Sequence, residues 1–254
     1  MALKTYSSWL PEFDPVSGGI RVLYGLYGWL LSKGQIVVPN SSLDDIAIYP
    51  EIVRGNPLGA KKSIRYILQK PNVMSYYGIP GPTTYEYNND PIYKDDEIYV
   101  FSKVYDQWNL PDDHILFLPI IDLHTFKDYG KKRKKTAYYC ARGHNQHKHP
   151  EDSVEITRQF ATDQQALADL LNECETLYVY DKITAMLEVA RLCGTKIAYY
   201  GDTPLETLEK YEPGLEGIGY KTNDIKKPTL FRDTYIDLQR KFNLKLDKFI
   251  EQTQ

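Results

Sequence analysis

The strongest constraint on the fold is a stretch of about forty residues, 162–200, where β-rich apolar runs alternate with amphipathic helical segments through very short links. Thr162-x-x-Gln165 reads as a capping box that opens a helix to about Cys174. Thr176–Tyr180 follows as a strand. Asp181 is a candidate cap for a helix over Lys182–Cys193 that stops at Gly194, and Thr195–Tyr200 is the next strand. Together with a strand upstream of residue 153 this makes a βαβαβ order, which predicts parallel strands joined by right-handed crossovers. Upstream, Thr136–Ala141 reads as a strand and Ser153–Thr157 as another.

The first half carries a looser version of the same alternation. Residues 3–9 suit a first strand, and Asp14-Pro15-Val16-Ser17-Gly18-Gly19 is turn chemistry. A helix fits Gly19–Lys33, with Ile20, Leu23, Tyr24, Tyr27, Leu30 and Leu31 on one face and Gly34 as its stop. Gln35–Val38 and Asp45–Tyr49 read as strands. Asn56-Pro57 reads as a cap and first position opening a helix through Gln69, ended by Pro71. Residues 78–96 form a loop, and Glu97–Ser102 and Ile115–Ile121 read as buried strands. The tail, Arg232–Glu251, is an amphipathic helix with Phe231, Tyr235, Leu238, Phe242, Leu246 and Phe249 along one stripe that needs a groove to pack in.

An α/β protein of two small doubly wound domains joined near residues 122–135 is the simplest organisation. At ~150 residues per domain, 254 residues are tight for two. Ligands of such sheets bind outside the carboxyl ends of the strands, and a cleft between two such domains is the default site.

Composition narrows the function classes. With 42% apolar and 26% charged residues the chain suits a globular protein. A net charge of −3 and a pI near 6.0 provide no global basic field for nucleic acid. No apolar run reaches the ~18 residues of a membrane span, and the first residues lack an apolar signal core. Cys140, Cys174 and Cys193 are far apart and odd in number, which fits reduced, buried thiols and a cytoplasmic location. His144, His147 and His149 lack the carboxylates or thiols of a metal set, so no metal is expected. The KKRKK run at 131–135 reads as a solvated interdomain linker. Its functional alternatives are an anionic acceptor such as nucleic acid, or the acidic inner face of a membrane. Tyrosine is in surplus, 22 residues, and the Tyr76, Tyr77, Tyr85, Tyr87, Tyr93 stretch is the expected place of use.

Three segments, taken together, resemble bacterial and phage glycosyltransferases of the GT-B type, close to the retaining group that uses nucleotide sugars. They are Ser17-Gly18-Gly19-Ile20-Arg21-Val22-Leu23, then Tyr49-Pro50-Glu51-Ile52-Val53-Arg54-Gly55-Asn56-Pro57-Leu58-Gly59-Ala60-Lys61, then Tyr180-Asp181-x-x-Thr184-Ala185-x-x-Glu188 running on to Leu192-Cys193-Gly194. The resemblance spans roughly residues 5–200. It implies two Rossmann-like domains facing across a cleft: an acceptor-side domain over 1–125, a donor domain over 126–225, and a C-terminal helix over 226–254 that packs back on the first.

The resemblance also implies residue roles. The Gly18-Gly19 turn lets helix N–H groups approach the donor diphosphate, or is a simple tight turn before a core helix. Glu51 and Arg54 sit on a strand-end loop to bind sugar hydroxyls or orient the acceptor, with Tyr85 as a further acceptor contact; Asn56 reads as a helix cap and Lys61, Lys62 and Arg65 as a solvated helix face. Arg142, directly after a strand, and Lys148 match the cations that hold the diphosphate and offset its developing charge. Tyr180, Asp181 and Thr184 lie where a second helix N-terminus meets a phosphate, though Asp181 also suits a plain N-cap. The family's ribose-binding carboxylate falls five residues before the glycine, where this chain has Val189. Glu188, six before it, serves in a shifted geometry, or the ribose is held otherwise. The expected reaction is sugar transfer from a nucleotide-activated donor to a hydroxyl acceptor with retention. Glu51, Arg142 and Lys148 form the catalytic set, and Glu51 or Asp14 serves as base if the enzyme inverts. The other readings are a non-catalytic nucleotide- or glycan-binding module and a phage-type DNA-base glycosyltransferase.

Overall fold

A computed structural model describes residues 5–41, 45–53, 55–69, 95–141 and 143–253. The chain divides into two compact units, Met1–Pro119 with Leu238–Gln254, and Ile120–Asp237.

The first unit is a five-stranded, wholly parallel sheet of order β2-β1-β3-β4-β5, made of β1 (Thr5–Ser8), β2 (Ile36–Pro39), β3 (Ile46–Pro50), β4 (Lys62–Ile67) and β5 (Glu97–Val100). Helix α1 (Gly18–Ser32) connects β1 to β2. It ends in a Schellman turn: Gly34 takes φ +73°, and the Gly34 and Gln35 amides close on the Leu31 and Leu30 carbonyls at 2.9 and 3.1 Å. Its core face is Val22, Leu23, Leu26 and Leu30, while Leu31, expected inside, is exposed. All five residues of β3 are buried, as a central parallel strand covered on both faces requires.

Two sequence expectations fail here. The segment after Asn56-Pro57 is strand β4, with no helix. Asn56 spans a tight turn, accepting from the Ala60 amide (3.1 Å) and the Tyr49 hydroxyl (2.7 Å) and donating to the Ala60 carbonyl (2.7 Å), with Gly59 at φ +68°. Ile64, Tyr66 and Ile67 then suit a strand flanked by β3 and β5, and that pairing outweighs the local cap signal. Residues 115–121 supply buried Leu116, Leu118 and Ile121 but make one isolated bridge, Val100 to Ile115, since β5 ends at Val100 and the chain turns away in a short 3-10 segment over Lys103–Tyr105.

The second unit repeats the plan. Its strands are β6 (Lys135–Tyr139), β7 (Val154–Glu155), β8 (Cys174–Val179), β9 (Lys196–Tyr199) and β10 (Ile218–Tyr220) in order β7-β6-β8-β9-β10, all parallel. Counted within each unit, both sheets read 2-1-3-4-5, a doubly wound order. The connecting helices are α2 (Gln164–Glu173), α3 (Met186–Leu192) and α4 (Leu205–Tyr211). The α4–β10 unit has no counterpart in the sequence reading. Asp163, one residue after the expected Thr162, caps α2 by accepting from Ala166 N–H at 2.9 Å. Helix α3 begins at Met186, four residues later than expected, because Asp181 accepts from Lys182 N–H and Thr184 from Met186 N–H in a turn that precedes it.

Helix α5 (Phe231–Thr253) starts in the second unit, where Phe231 lies under the Arg191 guanidinium at 3.6 Å and the Tyr235 hydroxyl accepts from Ile121 N–H. From Leu238 on it belongs to the first unit, packing Phe242 on Trp29 and Phe249 on Tyr6 and Tyr99, with an ion pair from Lys33 to Asp247. The 76–93 tyrosines lie outside the described residues, while Tyr6, Tyr49, Tyr66, Tyr99, Tyr180, Tyr199 and Tyr235 are core residues at 1% exposure or less. Several use the hydroxyl as a buried tie, as Tyr6 does with Thr253 Oγ1 at 2.7 Å and Tyr66 with the Leu116 carbonyl.

Candidate active site

In each sheet the strand order reverses at one point, between β1 and β3 and between β6 and β8, and the carboxyl ends of those strands are where doubly wound folds bind ligands.

In the first unit, β1 leads through an Asp14-centred turn to α1. The Asp14 carboxylate accepts from Val16 N–H at 2.9 Å and its carbonyl from Ser17 N–H at 3.2 Å. Ser17 is the N-cap but makes no side-chain capping bond, and no acidic residue occupies the first turn. A Cβ added at Gly18 would meet open space, and one at Gly19 would touch Leu68 Cδ1 at 3.6 Å. Leu68 follows β4, and its N–H donates to Glu51 Oε2 at 2.9 Å. Leu68 thus brings Gly19 and Glu51 to one end of the sheet. Glu51 follows the last residue of β3 and is 6% exposed. Burial, the dominant cause, pushes its carboxyl up to about 7 against the opposing effects of the Leu68 amide and the Arg65 charge. Arg54 and Tyr85 lie outside the described residues.

The expected solvated face of Lys61, Lys62 and Arg65 is not formed. Arg65 is on β4 with a fully buried side chain, bonded to Asp96 and to three carbonyls of the turn carrying Glu51. Lys61 and Lys62 pair with Asp45 and Glu97. A buried arginine in a segment read as helical surface had no signal in the sequence.

In the second unit the loop after β6 folds over the end of β8. Its backbone is unusual: Ala141 and His147 take φ of +39° and +48°. Gly143 lies against the Tyr180–Asp181 peptide, where an added Cβ would stand 1.9 Å from the Tyr180 carbonyl oxygen. Gly201, after β9, presses on the Asp181 carbonyl with a corresponding 2.2 Å. These glycines are required because backbone, not a yielding side chain, occupies the space. Tyr180 is 1% exposed and Asp181 2%. The Tyr180 hydroxyl accepts from Lys148 N–H at 2.9 Å and bonds His149 Nδ1 at 2.8 Å, with burial pushing the phenol up. Lys148 is thereby anchored by its backbone with its side chain exposed. Arg142, in the same loop, lies outside the described residues. Thr184 is engaged in the turn before α3, and Glu188, in the first turn of α3, is 7% exposed and acts on the Arg191 charge.

An aromatic cluster went unrecognised in the sequence. The His149 ring stacks on Tyr138 at 4.0 Å and 5°, beside Tyr178 and Tyr180, with Tyr200 next to both. Burial and the neighbouring His147 hold His149 below the usual imidazole range. The sequence offered only the period-two pair Tyr178 and Tyr180 at a strand end; the register that sets Tyr138 beside Tyr178 was not readable from it. Among the described residues no group of three or more His, Cys, Asp or Glu gathers as a metal site. Burial pushes Cys174 up to about 11 and Cys193 up to about 12, so neither is a ready thiolate.

The 131–135 run lies at the opposite, amino end of the second sheet, immediately before β6 and over Lys135 itself. Arg133 is part of the structure, contrary to the linker expectation. It donates to the carbonyls of Leu171, Cys174 and Cys193 and pairs with Asp128 at 3.0 Å, closing the ends of α2 and α3. Lys131 and Lys135 pair with Asp169 and Glu173. Among the described residues no helix is long and apolar enough to cross a membrane.

No family model and no curated protein matches the chain. Solved structures similar to it include spinosyn forosaminyltransferase SpnP, with a TM-score of 0.36, and an alpha-glucosyltransferase in complex with UDP and a 13-mer DNA containing a HMU base, with a TM-score of 0.42. Each is 11% identical and covers 99% of this chain and 95% of its own.

Proposed function

We propose that this protein is a glycosyltransferase that moves a sugar from a nucleotide-activated donor to a hydroxyl acceptor, with retention at the anomeric carbon. The observation that carries the reading is the pair of doubly wound sheets of identical strand order, each with motif residues at its switch point. These are Gly18, Gly19 and Glu51 in one unit, and Lys148, Tyr180 and Asp181 in the other.

The transfer breaks the bond between the anomeric carbon and the donor phosphate oxygen and forms one to the acceptor oxygen, whose proton passes to the departing diphosphate oxygen or to the ionised Glu51 carboxylate. Negative charge develops on the departing nucleoside diphosphate. Arg142 and Lys148 are the cations assigned to it, and the uncapped first turn of α1 adds N–H donors. Glu51 exchanges the acceptor proton or orients its hydroxyl, a role suited to a carboxyl poised near 7. Tyr180, Asp181, Thr184 and Glu188 line the donor side, with Glu188 the carboxylate nearest to the ribose position that Val189 cannot serve. Arg54 and Tyr85 complete the acceptor side. The donor is a substrate, and the reaction as proposed draws on no metal. A cytoplasmic enzyme fits the reduced cysteines.

Incubation with a panel of UDP-, GDP- and dTDP-sugars, read by donor hydrolysis and thermal shift, tests the reading. Binding of no nucleotide or nucleotide sugar overturns it. Binding without turnover under any acceptor favours the non-catalytic module instead. A nucleic-acid acceptor docked through residues 131–135 would rest on Lys132 and Lys134, since the other three cations of the run are ion-paired. Salt-sensitive duplex binding tests that variant of the proposal.

A further inference from the structure

The Arg65 guanidinium divides its five N–H groups among four partners. Nε and Nη2 hold Asp96 Oδ2 at 2.9 and 2.7 Å. Nη2 also donates to the Gly55 carbonyl at 2.8 Å, and Nη1 donates to the carbonyls of Val53 and, at 3.4 Å, Pro50. The Tyr49 ring, paired in register with Arg65, lies 5.0 Å beneath the guanidinium carbon. The three carbonyls belong to the turn that leaves β3 and carries Glu51. Turn carbonyls in a buried setting need donors, and here one side chain supplies three of them. Asp96, 5% exposed at its side chain, offsets the buried positive charge.

We infer that Arg65 is the positioning residue for Glu51: by binding the Pro50, Val53 and Gly55 carbonyls it holds the turn closed around the Glu51 carboxyl and keeps water from it, with Asp96 as its counter-charge. The consequence for turnover rests on the catalytic role proposed for Glu51; the positioning does not. Among the groups that face Glu51 are the Arg65 cation from β4, with Asp96 behind it, and the Leu68 amide. Arg65 draws the carboxyl down by its charge but, by closing the turn, sustains the burial that pushes it up.

The test separates charge from geometry. Arg65→Lys keeps the cation but cannot reach three carbonyls and a carboxylate at once. Carboxyl-detected NMR titration, with Glu51→Gln to assign the signal, is expected to find the wild-type midpoint near 7. In Arg65→Lys the midpoint falls toward the ordinary glutamate value of about 4.3 as water enters. An unchanged midpoint in a folded Arg65→Lys protein overturns the inference. Should that variant fail to fold, Asp96→Asn loosens the guanidinium instead. Amide exchange at Val53 and Leu68 then accelerates at least about tenfold, as expected of local opening, and unaltered exchange overturns the inference. If the wild type turns over a nucleotide sugar, Arg65→Lys moves the pH limb of kcat and leaves the donor KM unchanged. If it turns over none, the proposed function falls while the titration still decides the role of Arg65.

Discussion

Gly143 packs directly on the backbone of Tyr180: a methyl group on residue 143 would stand 1.9 Å from the Tyr180 carbonyl oxygen. The loop after β6 and the end of β8 are locked backbone to backbone at the sheet's switch point. Gly143→Ala is therefore expected to cost about 2 kcal/mol of stability, in the range of overpacking in a tight interior. It should also weaken nucleotide binding at least about tenfold, because Lys148 is carried on the same loop. Urea unfolding and calorimetric titration with a nucleoside diphosphate check both parts.

Glu51 makes stability depend on pH in a definite direction. Its folded carboxyl titrates at about 7 and an unfolded glutamate near 4.3, so the folded state keeps its proton longer. The contribution is complete below the unfolded value and is lost as pH rises through the folded one. At roughly 1.4 kcal/mol per unit, the loss between pH 4.5 and 7 is on the order of 3 kcal/mol at most. Glu51→Gln should flatten this slope and be more stable than wild type at pH 8, with no gain at pH 4. Its turnover should fall by about 100-fold or more if Glu51 handles the acceptor proton. Denaturant melts at the two pH values test the first statement and donor turnover the second.

Lysines at the two ends of the second sheet should behave differently. Lys148→Ala, at the carboxyl end, is expected to lower kcat by about 100-fold through loss of charge opposite the leaving diphosphate. The double change Lys132→Ala, Lys134→Ala lies at the amino end and should leave donor turnover within about twofold. Equal losses in both would contradict the assignment of the donor to the carboxyl end. Steady-state kinetics with one donor sugar is sufficient.

The Arg191–Glu212 pair ties α3 to the segment after α4, with both side chains wholly buried and Arg191 also bonded to the Gly214 carbonyl at 2.8 Å. Arg191→Met leaves the Glu212 carboxyl buried without its cation and is expected to cost about 3–5 kcal/mol. Replacing both residues with apolar ones of similar size should recover much of that loss. Chemical denaturation of the single and double variants provides the comparison.

What could be read from residue order alone was whatever the chain encodes locally. The helix over residues 18–32 with its Gly34 stop, the strands around 36–39, 46–50, 135–139, 174–179 and 196–199, and the amphipathic tail all carry their own periodicity and stop signals. The parallel α/β class follows from their alternation. The errors fall where local and long-range signals conflict. Asn56-Pro57 is good helix-opening chemistry, yet β4 has β3 and β5 on either side, and the ladder bonds of two neighbours outweigh one cap. The candidate residues Gly18, Gly19, Glu51, Lys148, Tyr180 and Asp181 were legible as types at strand ends. The neighbours that set their chemistry were not: Arg65 reaching the turn around Glu51, Gly143 pressed on Tyr180, and His149 stacked on Tyr138 come from segments distant in sequence. Likewise KKRKK could be seen as charge, but only packing assigned Arg133 to helix-end carbonyls and paired Lys131 and Lys135 with acids. Backbone preference acts over a few residues and is written in their order. Burial, desolvation and partner choice depend on which distant segments meet, and folding settles those.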